Sequence, residues 1–265
     1  MMGMRVWGGV VAIACLAVPA VAADVGKQAA IERALARGKS IYAYDQAAWV
    51  TTDAMIAAIP EARKSEVRGW VVAPAAKGRL AVTYYGLTGS KPYAVFTADT
   101  NGRSVDNKRV WTAGEARDLT PELAAQIRVR EQMTRLTLRS CTPGPLNSVI
   151  LPPETSGGPY IGYLLSGATD PAGYPAGGHY RIEVSQAGEV VAQRPFTKSC
   201  IALGGRGPDG ARPAALVVSH ILDPVPTEIH VFVSLATKLP LYVVTGPDAT
   251  WKVTGTAIER VKMPG

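Results

Sequence analysis

Histidine is the side chain best suited to chemistry near neutral pH, and this chain has only three. Two of them, His220 and His230, flank the connecting residues 223–227, and Glu228 lies between them in the sequence. Imidazole and carboxylate groups bind zinc and transfer protons. The third histidine, His179, is a further candidate ligand. His179, His220, Glu228 and His230 therefore form the candidate metal site.

The residues around the two histidines predict a β-hairpin. If residues 223–227 are a five-residue connection, the strand before it pairs with residues 228–235, and His220 lies opposite His230. Directly opposed strand residues hold their Cβ atoms about 5 Å apart, which is close enough to share a metal ion or a proton. The alternative is that one imidazole packs against Phe232 while the other makes a local hydrogen bond.

Motifs of the common catalytic and nucleotide-binding sites do not occur in the sequence. It has no G-x-S-x-G, no H-E-x-x-H, no P-loop and no G-x-G-x-x-G after a predicted strand. No cofactor is therefore expected. Arg128, Arg135 and Arg139 fall on one ridge of a predicted helix and are a candidate anion site. Arginines in this arrangement are also typical of a solvated helix face.

The N-terminal residues 1–23 have the pattern of a cleaved signal peptide. A short leader with Arg5 precedes an apolar stretch, and Ala20-Val-Ala22 follows at its end. We expect the mature chain to begin near Asp24, to be periplasmic or secreted, and to have no transmembrane segment. Loss of the leader removes one arginine and no acid, so the formal charge falls from +7 to about +6.

The excess of basic residues is spread along the chain, and this distribution limits the classes of partner. Without a run of like charges or basic residues interleaved with aromatic ones, we expect no nucleic-acid partner. An envelope protein or an anionic envelope component remains a candidate partner, because weak electrostatic attraction favours anionic surfaces.

Cysteine usage predicts one disulfide in the mature chain. Removal of the leader, which contains Cys15, leaves Cys141 and Cys200. In an oxidising compartment an even pair forms a bridge, and closing this loop stabilises the fold by roughly 4 kcal/mol in the chain-entropy model. A reactive thiol would be expected beside a histidine or a helix start, and neither is evident.

The pattern of apolar residues predicts an α+β fold, mainly an antiparallel sheet with a few helices packed on it. We expect helices over residues 28–37, ending at Gly38, over residues 52–59, and from the N-cap Thr120 to about Arg139. Most of the remaining residues read as strands and turns. Residues 24–265 are predicted to form one domain. Its halves, 24–118 and 119–265, share an α-β-β-β pattern that either records a duplication or arises by chance.

Two functions from different classes remain open. The first is an exported bacterial protein without catalytic activity, acting as a binding, inhibitory or envelope-maintenance module. The second is a metal-binding protein or hydrolase that uses His220 and His230. The leader, the single cystine and the Ala-, Gly-, Pro- and Arg-rich composition are similar to those of exported proteins from bacteria with GC-rich genomes. That similarity assigns no role to any residue.

Overall fold

The computed structural model describes residues 18–112, 115, 118–168, 173–205, 211 and 213–262, with side chains from residue 24 onward. Most of the predicted signal peptide, residues 1–23, therefore lies outside the described residues. The described chain has the predicted α+β class, in which a few helices pack on mostly antiparallel sheets. None of its helices combines the length and the hydropathy of a membrane span.

Three α-helices are described, and the first is much longer than predicted. The helices are α1 (Val18–Ala58), α2 (Pro121–Thr134) and α3 (Glu228–Thr237), with short 3-10 helices at Glu61–Glu66 and Ala76–Gly78. The prediction that a helix ends at Gly38 was wrong. A Cβ atom at Gly38 would lie 2.5 Å from Val231 Cβ, so this glycine permits close contact between α1 and α3 rather than ending α1.

The described strands form three four-stranded sheets and one two-stranded sheet. The first sheet has the order β1 (Gly69–Pro74), β2 (Leu80–Thr88), β3 (Lys91–Thr100), β4 (Val105–Val110). The second has the order β5 (Asn147–Leu151), β6 (Tyr160–Leu165), β8 (Tyr180–Val184), β9 (Val190–Pro195), and the two-stranded sheet pairs β7 (Tyr174–Pro175) with β10 (Ala202–Leu203). The third has the order β11 (Leu216–Ser219), β12 (Leu241–Gly246), β13 (Ala249–Val253), β14 (Ile258–Val261).

The first two sheets have the same topology. In each, a helix precedes four strands that pair consecutively and antiparallel: α1 precedes β1–β4, and α2 precedes β5, β6, β8 and β9. This arrangement agrees with the predicted α-β-β-β pattern and adds a fourth strand to each half. Between β6 and β8 the second sheet's chain also forms the two-residue strand β7, which belongs to the two-stranded sheet.

The segment with His220 and His230 is not a hairpin, which corrects the prediction. β11 pairs parallel with β12, and α3 is the crossover between these two strands. Residues 228–234 are all buried, so every face of this part of α3 is covered by the rest of the protein. Because these consecutive positions are all buried, periodicity does not distinguish this short helix from a buried strand rich in β-branched residues. Thr227 at the N-cap and Glu228 in the first turn are the local marks of the helix.

The predicted disulfide is present. Cys141 and Cys200 are bonded with their Cα atoms 5.3 Å apart, which lies within the usual range for a bridge. The bond joins the segment after α2 to the strand β10 region, across a sequence separation of 59 residues. Because β10 pairs with β7, the bond also holds this two-stranded sheet near the segment after α2.

The position of α1 decides where the clefts of the molecule lie. Its buried side chains, among them Ile31, Ile41, Tyr44 and Met55, belong to the same core cluster as residues from all three large sheets and from α3. One end of α1 thereby faces α3 and the second sheet, while its C-terminal part lies beside β1 and the start of β5.

Candidate functional site

The structure brings His220 and His230 together, although through a different geometry from the predicted hairpin. His220 follows β11 and His230 lies in the first turn of α3. Their ring centroids are 4.6 Å apart and the ring planes are nearly perpendicular, at 80°. Both side chains are buried. The predicted proximity is therefore observed, because the connection before α3 returns the chain toward the end of β11.

His220 is paired with a carboxylate that lies nearer the surface. Its Nε2 atom is 2.7 Å from Asp223 Oδ2, and Arg194 donates from Nη2 to the same carboxylate oxygen. The pKa of Asp223 lies below its ordinary value, because the hydrogen bonds from His220 and Arg194 outweigh the opposing effect of burial. From the core outward, the order is therefore the His220 imidazole, the Asp223 carboxylate and the Arg194 guanidinium.

His230 has a structural role at the start of α3. The backbone N–H of Thr227 donates to His230 Nδ1 at 2.9 Å, so the imidazole closes the N-terminal turn as a capping glutamate would. Burial, with the nearby His220, lowers the pKa of His230 to about 3. The ring is therefore neutral at physiological pH, with Nδ1 acting as an acceptor.

His179 lies in the core behind these residues and does not join them in a site. Its Nε2 atom is 2.9 Å from the carbonyl oxygen of Pro175, and its ring packs edge-on to Phe232 at 6.4 Å. Burial lowers the pKa of His179 to about 4. Among the described residues, no three His, Cys, Asp or Glu side chains are arranged to hold a metal ion. The metal site stays a prediction from the sequence.

Glu228, the fourth candidate, is the centre of a buried polar network. Tyr163 donates its hydroxyl to Glu228 Oε1 at 3.1 Å, and Arg181 donates from Nη1 at 3.0 Å. Arg37 Nη1 lies 3.7 Å from the same oxygen. Burial is the main cause that raises the pKa of Tyr163 well above its ordinary value, so this hydroxyl keeps its proton. Glu228 thus accepts hydrogen bonds from Tyr163 and Arg181 and forms a longer ion pair with Arg37.

These side chains surround a half-open pocket of about 370 Å³, which we call the arginine pocket. It lies between α1, the strands β8 and β9, and the N-terminal end of α3. Its lining comprises Ala30, Arg33, Ala34, Arg37, Arg181, Arg194, Asp223, Val225, Pro226, Thr227 and Glu228. With four arginines against two carboxylates, the formal charge of the lining is +2.

Ion pairs hold three of the four arginines in place. Arg37 donates from Nε and Nη2 to Glu154, at 2.7 and 2.9 Å, which is the fork geometry of a guanidinium with a carboxylate. Arg181 is bound by Glu228 and lies 3.3 Å from Glu183, and Arg194 is bound by Asp223. Arg33, one helical turn before Arg37, is exposed and has no ion-pair partner in the described part of the chain.

The arginines of this pocket are not those that the sequence indicated. Arg128, Arg135 and Arg139 are exposed, and only Arg128 lies within α2 as it is observed. None of these three lines the arginine pocket. The pocket arginines come from three elements separated by up to 161 positions, and the only local sequence mark is the i, i+4 spacing of Arg33 and Arg37.

The order of charged groups in the pocket differs from that of a general-base site. In a histidine–carboxylate pair that acts as a general base, the imidazole reaches the substrate and the carboxylate lies behind it. Here Asp223 lines the pocket and His220 lies behind it. The lining contains no histidine, serine, cysteine or lysine, and its one hydroxyl belongs to the buried Thr227. What the lining offers to a ligand is charge and N–H donors.

Comparison with known proteins adds no assignment: no family model matches the chain, and no curated protein matches it significantly.

Proposed function

We propose that this chain is an exported binding protein without catalytic activity, and that the arginine pocket binds a small anion bearing a carboxylate or phosphoryl group. The observation that carries the proposal is the convergence of four guanidinium groups on one half-open pocket, of which Arg33 has no ion-pair partner among the described residues. Guanidinium groups present planar pairs of N–H donors that match carboxylate and phosphate oxygens.

The carboxylates that pair with the arginines support this proposal. Glu154 and Glu183 bind their arginines from outside the lining, and Asp223 and Glu228 bind theirs at its edge. Groups held by such contacts are pre-organised, so a ligand does not have to order them on binding. The unpaired Arg33 is positioned to supply the charge that the ligand neutralises.

The proposed export rests on the sequence of the N-terminal residues and on the disulfide between Cys141 and Cys200. Disulfides persist in oxidising compartments. N-terminal sequencing of the protein recovered from the periplasm or the medium tests this part. A start near Asp24 is expected, and a start at Met1 would contradict it.

Isothermal titration of the purified mature protein with inorganic phosphate and with succinate, in a chloride buffer, tests the binding. Saturable binding of at least one anion is expected. Arg33→Gln should weaken it at least tenfold, since a hydrogen bond to a charged group contributes about 1.5–3 kcal/mol. The matched control is Arg128→Gln, which removes an exposed arginine outside the pocket and should leave the affinity unchanged.

Two results would contradict the proposal. The first is that neither anion binds at millimolar concentration. The second is that Arg33→Gln and Arg128→Gln weaken binding equally, which would indicate attraction to the net charge of the molecule rather than to this pocket.

A further inference from the structure

A second cleft lies beside the C-terminal part of α1, and we call it the tryptophan cleft. It has a volume of about 280 Å³ and is lined by Asp45, Ala48, Trp49, Thr52, Asp53, Trp70 and Asn147. The α1 residues lie on one helix face, because they follow the i, i+3, i+4, i+7, i+8 spacing. Trp70 from β1 and Asn147 from the start of β5 form the other side.

The two tryptophans of this cleft are accessible. Trp49 is 69% exposed although α1 packs against the core along much of its length, and Trp70 is partly buried. Leaving an indole in water forgoes the stabilisation that its burial would give. An exposed tryptophan that lines a concave surface is therefore typical of an interaction site. Arg130 lies over the Trp70 ring, with its Cζ atom 5.1 Å from the ring centroid.

The charge of the tryptophan cleft is opposite to that of the whole chain. Its charged lining residues are Asp45 and Asp53, and no basic side chain lines it. Neither aspartate forms an ion pair within the described residues. Burial raises the pKa of Asp45 to about 6, while a hydrogen bond with Gln46 acts in the opposite direction. At neutral pH the lining thus carries negative charge and has no basic side chain of its own.

We propose that the tryptophan cleft binds a small organic cation that carries an alkylated ammonium group. Such a cation is attracted both to the faces of tryptophan rings and to carboxylates. Its methyl groups fill an apolar, aromatic-lined space without leaving donors unsatisfied. The volume lies just below the range of about 300–1,000 Å³ that is typical of pockets for larger ligands, so a headgroup-sized cation fits better than a long one.

Asn147 gives the site a further group for recognition. Its side chain lines the cleft and makes no hydrogen bond to another described residue. An amide both donates and accepts, so it is suited to a hydroxyl or ester oxygen next to the ammonium group. The proposal is independent of the arginine pocket, because the two linings share no residue.

Titration calorimetry with free choline tests the proposal, with 3,3-dimethylbutan-1-ol as a neutral probe of the same shape. Choline should bind at least tenfold more tightly than the neutral alcohol. Trp49→Ala should weaken choline binding at least tenfold, and Asp45→Asn should weaken it severalfold. Ile56→Ala is the matched control, since Ile56 is a similarly exposed apolar residue of α1 outside the cleft. Thermal unfolding of each variant confirms that it is folded.

A second arm distinguishes a free cation from a lipid headgroup. Sedimentation with phosphatidylcholine vesicles that is lost in Trp49→Ala would identify the headgroup as the source. Choline binding without sedimentation would identify the free cation. Either result supports the proposal.

Three results would overturn it: equal affinity for choline and for the neutral alcohol, choline binding that survives Trp49→Ala, or binding of glucose or N-acetylglucosamine in place of choline. The last would make the cleft a saccharide site. Arg33→Gln should not change choline affinity, so failure of the anion proposal and failure of this one are separable.

Discussion

The two clefts along α1 differ in whether their charged side chains have ion-pair partners within the protein. In the arginine pocket, three of the four guanidinium groups are paired with carboxylates of the protein, and the buried Glu228 accepts from Tyr163 and Arg181. In the tryptophan cleft, Asp45 is partly buried with no ion-pair partner in the described chain, and burial raises its pKa to about 6. The charge of Glu228 is compensated within the protein, whereas the charge of Asp45 has no ion-pair partner among the described residues.

This difference predicts opposite effects of mutation on stability. Removing one partner from a satisfied buried network leaves an uncompensated charge and destabilises the fold. Removing a charge that has no partner relieves a desolvation cost and stabilises the fold. Functional groups are often kept at a cost in stability. A charged group that pairs only with a bound ligand is therefore expected to stabilise the ligand-free fold when it is removed.

The largest effect is expected at Arg181 in the arginine pocket. Arg181→Met removes the 3.0 Å hydrogen bond to Glu228, whose side chain is 7% exposed. We expect the free energy of unfolding to fall by about 3 kcal/mol, because a buried carboxylate then loses its nearest cation. Urea denaturation at pH 7.5, read by circular dichroism, measures the change.

Two comparison variants show whether that loss comes from the weaker compensation of the Glu228 charge. Arg128→Met, at an exposed position of α2, should change the free energy of unfolding by less than about 0.5 kcal/mol. Adding Glu228→Gln to Arg181→Met should recover part of the loss, since an amide carries no charge to leave unpaired. A single variant as stable as the wild type would show that the network is not stabilising.

A smaller effect is expected where α1 crosses α3. In Gly38→Ala the new Cβ would lie 2.5 Å from Val231 Cβ and 2.7 Å from the Glu228 carbonyl oxygen, and neither atom is the end of a flexible side chain. Overpacking of this kind costs about 1–3 kcal/mol, more than the gain of about 1 kcal/mol in helix propensity. We expect a net loss of up to about 2 kcal/mol in the free energy of unfolding.

Gly26→Ala is the control, because it lies in the same helix with no other atom within 4 Å of the added Cβ. That variant should be unchanged or more stable by up to about 1 kcal/mol. The contact also positions the N-terminal end of α3 in the arginine pocket, so Gly38→Ala should weaken anion binding as well. Equal stabilities of the two alanine variants would mean that the helices do not cross so closely.

The sequence predicted those parts of the fold that local patterns specify. The α+β class, the Thr120 N-cap and the Cys141–Cys200 bond are all observed. The predicted end of a helix at Gly38 was wrong, because that glycine serves a contact with a residue 193 positions away, which no local pattern reports.

The candidate site also depends on contacts between residues that are distant in the sequence. The proximity of His220 and His230 follows from their closeness in sequence, but residues 228–234 are all buried, so this part of α3 resembles a buried strand in sequence. Arg37, Arg181 and Arg194 meet only through the packing of α1 on the second sheet and α3. Sequence spacing cannot bring such residues together without the tertiary fold.

The smallest effect, and the one that distinguishes the two clefts most directly, is expected at Asp45. A pKa of about 6 in the folded chain, against about 3.8 when unfolded, means that the folded state binds the proton more tightly. The free energy of unfolding therefore falls as the pH rises from about 4 to about 6, and the loss persists above that range.

Asp45→Asn removes this loss because an amide does not ionise. The variant should be more stable than the wild type by about 1 kcal/mol at pH 7.5, less than the full shift implies because Asp45 is partly exposed, and equal to it near pH 4. Asp53→Asn, at an exposed position of the same cleft, should change stability by less than about 0.5 kcal/mol at either pH. Urea denaturation at the two pH values tests both variants. If Asp45→Asn lowered stability at pH 7.5, Asp45 would have a partner within the protein, and the cleft would resemble the arginine pocket instead of contrasting with it.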